Sequence, residues 1–454
     1  MNSIWAVARN TIKQAIRVKI AVVFIILLVV LLPFMGVSMT GDGTIKGRIQ
    51  TFVSYGLSLT SLLLCLFTIV ISIYTLSHDI KYRQMYTVLT KPIQRFQLVI
   101  GKLLGVVILD VILLVLFAVI IYAIAVSTPV FLKADQEQLT RLENEFFTAR
   151  VSLTPDEADV THRAIEAYQK LDEAGTLPEK MSYEDIIDEL AYQKRLEKRA
   201  AVPGQELIWQ FENVKPLDPN ESLFIKFKYD VSVNPADLQV VGKWIVGDDR
   251  QIEYGQILET PIYTFDQKNL IRTFHEIAVP ADAVADDGYL AIGFYNSPLN
   301  KTVVIFPFDN GLQVLYRAGS FAPNFIRAIG LIMFRLIFLA CLGMFTATFL
   351  SFPVAILFCL MVFLTGTISQ FCLESFDYLS MDVSNIYRYT LRPLVQLLPQ
   401  FDKFNPTKFL VPAQLLNWLL LAKVFLIMVC FKAMLLLLLA LFIFSRKEIA
   451  KVTI

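Results

Sequence analysis

Cysteine and histidine are scarce in this chain, with five cysteines and three histidines in 454 residues. Cys65, Cys341, Cys359, Cys372 and Cys430 all fall in or beside apolar segments and none lies in the polar middle, so no disulfide framework or thiolate metal site is expected. His78, His162 and His275 belong to three separate regions, which argues against a histidine metal cluster. No HExxH or GxSxG string occurs. Gly101-Lys102 lacks the upstream glycine and the following hydroxyl residue that a phosphate-cradling loop needs. The sequence thus implies no enzyme active site, no cofactor of its own and no nucleic-acid partner. Small residues suited to signal cleavage are also poor around Met39 to Gly43, so the first apolar stretch reads as an uncleaved span.

Apolar residues, by contrast, are abundant: 56% of the chain, with a mean hydropathy of +0.57. That is too apolar for an ordinary soluble protein. The net charge of +1 conceals a segregation. Residues 133 to 317 hold 32 acidic and 19 basic side chains, a balance of −13, leaving 8 acidic and 22 basic residues, or +14, for the rest. An acidic water-soluble body is therefore attached to a basic membrane body.

Runs long enough for a hydrocarbon core of about 30 Å lie at Val18 to Val37, Phe52 to Leu76 and Leu98 to Val126. Ile329 to Cys372 would overshoot the bilayer about twofold as one helix, so its interruption at Ser351-Phe352-Pro353 predicts a hairpin of two spans. Phe409 to Phe444 predicts an interfacial or re-entrant segment followed by a sixth span from about Val424. Ahead of the first span, Ile4, Ala8, Ile12 and Ile16 form one stripe and Arg9, Lys13 and Arg17 another, the pattern of an amphipathic interfacial helix. Lysine and arginine cluster at the N-terminus, between the second and third spans and in the tail. The positive-inside rule puts these three places in the cytoplasm and residues 133–320 outside. Arg388, Arg392, Lys403 and Lys408 on the opposite side are in mild conflict with that orientation.

The expected fold is a membrane α-helical bundle of about six transmembrane helices with an inserted soluble α+β domain. Its divisions are 1–132, 133–205, 206–320 and 321–454. Residues 133–205 read as helical, with helices from Pro155 to Leu171 and from Ser182 to about Arg199. From Glu206 the period changes to short β-branched and aromatic runs: Leu207 to Glu212, Ser222 to Val231, Leu238 to Val246, Gln251 to Ile257, Ile271 to Val279, Tyr289 to Tyr295, Thr302 to Phe306 and Leu312 to Tyr316. Eight such strands predict an antiparallel β-sandwich of jelly-roll type. Trp209, Phe211, Phe227, Tyr229, Trp244, Phe274 and Phe294 suit its core better than a carbohydrate-stacking face.

The segment between the second and third spans holds an acidic residue, a short amphipathic stretch, Leu89-Thr90-Lys91-Pro92-Ile93-Gln94-Arg95, and an apolar run ending in Gly101-Lys102. Here the chain resembles the permease subunits of ABC-2-type ABC exporters. The resemblance extends to the amphipathic lead helix, the six spans and the basic tail Phe444-Ser445-Arg446-Lys447-Glu448, but not to residues 133–320. It implies a permease of the cytoplasmic membrane that pairs with a second permease copy and is driven by a cytoplasmic ABC ATPase subunit, which binds the ATP. It also implies contact with membrane lipid and, through the insert, with cargo or a periplasmic partner. His78, Asp79, Lys81, Arg83, Met85, Tyr86, Leu89, Lys91 and Arg95 become the candidate ATPase-coupling residues, with Met85, Tyr86 and Leu89 as anchors. The competing reading is a non-transporting scaffold or receptor whose outer domain binds a ligand.

Charges inside spans cost about 2.5 to 3.5 kcal/mol each at the helix centre. Counting the rise per residue places Asp110, Arg335 and Lys432 at one depth. They are expected to meet, as a buried ion-pair set that fixes packing or as a polar lining of a path.

Overall fold

The computed structural model describes residues 2–17, 19–81, 94–155, 158–174, 176–177, 183–216, 221–251, 260–308, 311–377, 393, 395 and 398–446; for residues 2, 19–21, 81, 158–159, 184–185 and 374–377 it describes the backbone alone. The chain forms two compact units, Met1–Phe147 with Ser320–Ile454, and Thr148–Gly319.

In the first unit, α1 (Asn2–Arg17) and α2 (Lys19–Ser38) are followed by α3 (Ile45–Lys81), α4 (Arg95–Phe131) and α5 (Gln136–Glu145). After the insert come α8 (Phe321–Ala347) and α9 (Phe352–Asp377), the short α10 (Thr407–Leu410), α11 (Trp418–Phe425), a π-helical stretch (Leu426–Ala433) and α12 (Met434–Arg446). Among the described residues, five helical stretches are long and apolar enough to cross a bilayer: α3, α4, α8, α9 and Trp418–Arg446. A sixth is reached if α1 and α2, bent by 67° at their junction, count as one span. The chain is a multi-pass helical membrane protein. Val23, Val30, Val119, Leu357 and Phe371 lie on the outside of these helices, as the lipid-facing side chains of a bundle do.

The hairpin expected at Ser351-Phe352-Pro353 is present as the break between α8 and α9. The segment expected to be interfacial or re-entrant consists of α10, a turn at Ala413 with φ 55°, and a span that begins at Trp418. Within this unit the stripe of α1 buried against other helices is Ala8, Thr11 and Ala15, while Ile16 is exposed. The small residues face inward because α1 lies directly against the backbone of α4. Helix α5 belongs to the membrane unit, where Leu142 and Phe146 are buried and Glu145 pairs with Lys46.

The second unit carries β1 (Thr148–Leu153), α6 (Ala158–Glu173), α7 (Tyr183–Glu197), β2 (Ala200–Ala201), β3 (Glu206–Phe211), β4 (Ser222–Phe227), β5 (Asp230–Val231), β6 (Gln239–Gly247), β7 (Tyr263–Leu270), β8 (His275–Pro280), β9 (Leu290–Asn296), β10 (Val304–Ile305) and β11 (Leu312–Ser320). They make three small antiparallel sheets of order β1-β11-β4-β8, β3-β9-β6-β7 and β2-β10-β5. Alternation sets which side chains turn inward: Leu207, Trp209 and Phe211 on β3 are buried, and the residues between them are exposed. Trp244 of β6 meets Phe227 of β4 with ring centroids 4.4 Å apart, so the two four-stranded sheets share one core. Of the expected strand Gln251 to Ile257, all but Gln251 lies outside the described residues. Strands β1 and β7 were not anticipated from the sequence.

Candidate functional site

The linker joining α3 to α4 is the strongest sequence candidate, and its two ends are well defined. Arg83, Met85, Tyr86, Leu89 and Lys91 lie outside the described residues, as does the side chain of Lys81; His78, Asp79 and Arg95 flank them. At the α3 end, the Asp79 carboxylate accepts from Lys102 Nζ of α4 at 2.5 Å, and the same ammonium donates to the Thr75 carbonyl. Lys102 is 2% exposed, so this is a buried ion pair with a further acceptor for the cation. The His78 ring lies 5.1 Å from that of Tyr74, which in turn meets Phe352 at the start of α9.

At the α4 end, Arg95 donates from Nη1 to the Ser445 carbonyl at 3.0 Å, at the last turn of α12. A cation there also satisfies the negative end of the helix dipole. One residue pair further along, the Ser3 hydroxyl donates to Gln97 Oε1 at 3.2 Å and brings α1 into the same end of the bundle.

Helix α1 is seated through two glycines. A Cβ added at Gly101 would sit 2.7 Å from Val7 Cβ and 2.9 Å from the Ile4 carbonyl oxygen. One at Gly105 would sit 2.7 Å from Thr11 Cβ and 2.8 Å from the Ala8 carbonyl oxygen. Gly101-Lys102-Leu103-Leu104-Gly105 is thus a small-xxx-small seam that lets two backbones touch. The family resemblance drew attention to Gly101-Lys102, but the second glycine and the pairing of Lys102 with Asp79 went unread. The glycine spacing was the available signal.

The three intramembrane charges do not meet. Asp110 is fully buried on α4, its Oδ1 3.0 Å from the Thr68 hydroxyl, which also lies 2.8 Å from the Leu64 carbonyl oxygen. Asp110 Oδ2 has no hydrogen-bond partner among the described residues. Arg335 donates to the Ser61 hydroxyl at 3.1 Å and to the Phe401 carbonyl at 2.7 Å, and its guanidinium lies 5.1 Å from the centre of the Phe401 ring. Lys432 donates to the Leu398 carbonyl at 2.9 Å. Among the described residues no ion pair joins Asp110 to either cation. Equal depth is not equal azimuth: each residue faces its own helical neighbour, and carbonyls freed outside helices serve as acceptors.

In the second unit, Trp209, Phe211, Phe227, Tyr229, Trp244 and Phe294 are core residues, which removes them as a stacking face. Phe274 alone of that set is exposed, with Lys226 Nζ 4.6 Å from its ring centre. The side-chain amide of Asn300 is held by the Val241 backbone and by Asn296. Among the described residues no group of His, Cys, Asp and Glu side chains is arranged to hold a metal. Against protein-family models, curated proteins and solved structures, the chain finds no match.

Proposed function

We propose that the chain is the permease subunit of an ABC-2-type exporter of the cytoplasmic membrane, working with a second permease copy and powered by a separate cytoplasmic ATPase subunit. The observation that carries this reading is the anchoring of the α3–α4 linker at both ends. Asp79 and Lys102 tie one root to the start of α4, and Arg95 ties the other to the end of α12. A push on a linker held in this way moves three helices together, which is what a coupling element gripped by an ATPase requires. The sequence order from Asp79 through Leu89-Thr90-Lys91-Pro92 to Gly101-Lys102 supports the same reading. In it, residues 82–93 are cytoplasmic and residues 148–319 face the opposite side.

The inserted domain is read as a jelly roll. Counting only its eight longer strands in chain order, the two sheets run first-eighth-third-sixth and second-seventh-fourth-fifth, as two interleaved Greek keys do. A cleft of about 270 Å³ on the β3-β9-β6 face, lined by Glu206, Ile208, Ile245 and Asp249, is the place where this domain would contact cargo or a periplasmic partner. The same cleft is what favours the receptor alternative.

Cross-linking in native membranes followed by mass spectrometry tests the proposal. The expected product joins residues 82–93 to a P-loop ATPase, and replacing Tyr86 and Leu89 with alanine removes it while the permease stays folded. Labelling of 82–93 from outside the cell, with 148–319 protected, would overturn it.

A further inference from the structure

Glycine inside a strand forfeits side-chain packing, and it ordinarily marks a bulge, a bend or a place where something comes close to the backbone. The strands of the sheet β3-β9-β6-β7 hold three: Gly242, Gly247 and Gly293. The fold itself accounts for the first two, since a Cβ at Gly242 would sit 2.2 Å from the Phe294 ring and one at Gly247 would sit 3.1 Å from the Ile262 Cα. Gly293 is different. A Cβ there would come within 3.4 Å only of the carboxylate end of the Glu206 side chain, at 2.7 Å, and would rest in ordinary contact with Ile245 Cβ at 3.6 Å. The inner strand β9 could carry a side chain here and would gain strand propensity by it.

What the missing side chain leaves is a hollow. Alternation turns Leu290, Ile292 and Phe294 into the core and leaves Ala291 and Gly293 on the outer face of β9. Register then sets Gly293 between Ile208 of β3 and Ile245 of β6, and Ala291 beside Gly247, so small residues floor the cleft of about 270 Å³ while Ile208, Ile245 and Ile262 wall it. Its two charged lining residues are both acids. The Glu206 carboxylate lies over Gly293, and Asp249 accepts from the Tyr289 hydroxyl at 2.7 Å. Among the described residues no cation lines the cleft, and the Glu206 carboxylate has no hydrogen-bond or ion-pair partner. Lys243, on the same face of β6, stands opposite Asp266 outside the cleft, and Arg250 is held by Asp248 and Asp287.

We infer that this cleft takes a lysine or arginine side chain of a partner polypeptide, with the three isoleucines covering its aliphatic stem and Glu206 accepting from its cationic head. Long basic side chains join an apolar stem to a charged tip, which is the pairing of surfaces found here. The volume lies below the about 300–1,000 Å³ of sites that enclose a whole small molecule. It suits one side chain of a longer chain. The −13 balance of residues 133–317 adds a field that draws basic segments toward the unit. The inference rests on the proposed reading of this cleft as the contact site, narrows its occupant, and does not involve the ATPase.

The test uses the full chain in neutral-detergent micelles, titrated with a fluorescein-labelled peptide alternating lysine and serine or with one alternating glutamate and serine, and read by fluorescence anisotropy. Saturable binding of the basic peptide is expected, weakened roughly tenfold by E206Q and at least as much by G293V, which fills the hollow. D237N, which alters an acid paired with Lys268 outside the cleft, should leave binding unchanged. Circular dichroism should show G293V folded as the wild type is; should it not be, E206Q, at an exposed position, carries the test. Indifference to E206Q, or equal binding of the acidic peptide, would overturn the inference. Binding untouched by a folded G293V would overturn the cleft as contact site as well, whereas loss of acidic-peptide binding alone in G293V would spare the cleft and overturn only its cationic occupant.

Discussion

The seam between α1 and α4 permits a quantitative test of whether two glycines act as one contact. A methyl group at Gly101 would meet Val7 Cβ at 2.7 Å, where carbon atoms ordinarily rest about 3.5 to 4.0 Å apart. Helix α1 must therefore retreat by about 1 Å, or the side chains must leave their rotamers, and overpacking of this kind costs about 1–3 kcal/mol. Gly105 imposes the same distance against Thr11 Cβ. Because Gly101 and Gly105 lie one helical turn apart on one face, a single retreat of α1 relieves both clashes. Gly101→Ala and Gly105→Ala should each destabilise the chain by about 1–3 kcal/mol, and the double variant by little more than the worse single one. Gly56 is the control, since an added Cβ there meets nothing nearer than 3.6 Å. Gly56→Ala should be neutral or stabilising by up to about 1 kcal/mol, as for any unhindered glycine in a helix. SDS titration of the detergent-solubilised chain, followed by far-ultraviolet circular dichroism, reads all four. Fully additive losses, or no loss at Gly105, would refute the idea that the backbones touch through these two positions.

The Asp79–Lys102 pair should behave as a buried pair does: Lys102→Met or Asp79→Asn alone lowers stability by about 3–5 kcal/mol, while Asp79→Leu with Lys102→Met recovers much of it; in the same titration, a double variant as weak as the worse single one would argue against direct pairing. In the second unit, Arg250 holds Asp248 and Asp287 at 2.8 Å each and stacks 3.9 Å from the centre of the Tyr289 ring. Its hydrogen bonds depress both carboxyls below their ordinary value. Their contribution is thus fully present above about pH 4 and is lost as pH falls through the lowered values. Arg250→Gln should raise the acid midpoint of the near-ultraviolet signal from Trp209 and Trp244 toward about pH 4, and an unmoved midpoint would discount the network.

The spans were legible because each needs a long apolar run, and the α8–α9 turn because Ser351-Phe352-Pro353 breaks one. Strand β7 escaped notice for the opposite reason. Its Asp266, Gln267, Lys268 and Asn269 look like a loop, yet it is an edge strand, where exposed polar and charged residues deter pairing with another chain. On α1, close helix approach selects the small residues Ala8, Thr11 and Ala15, which hydrophobicity alone does not single out. Depth counting failed for Asp110, Arg335 and Lys432 because rise per residue carries no information on rotation, and the π stretch alters the rotation without altering composition. The coupling candidates are proposed from the order of features, whereas the contacts of Asp79 with Lys102 and of Arg95 with Ser445 required three-dimensional placement.

Strands β1 and β11, the first and last of the second unit, are hydrogen-bonded neighbours. The host chain is therefore interrupted at two points separated by about one strand spacing, some 5 Å, however many residues intervene. Such a cassette can be lengthened, exchanged or excised with little demand on the helices that bracket it. Variation in the second unit is thereby uncoupled from the helices of the first.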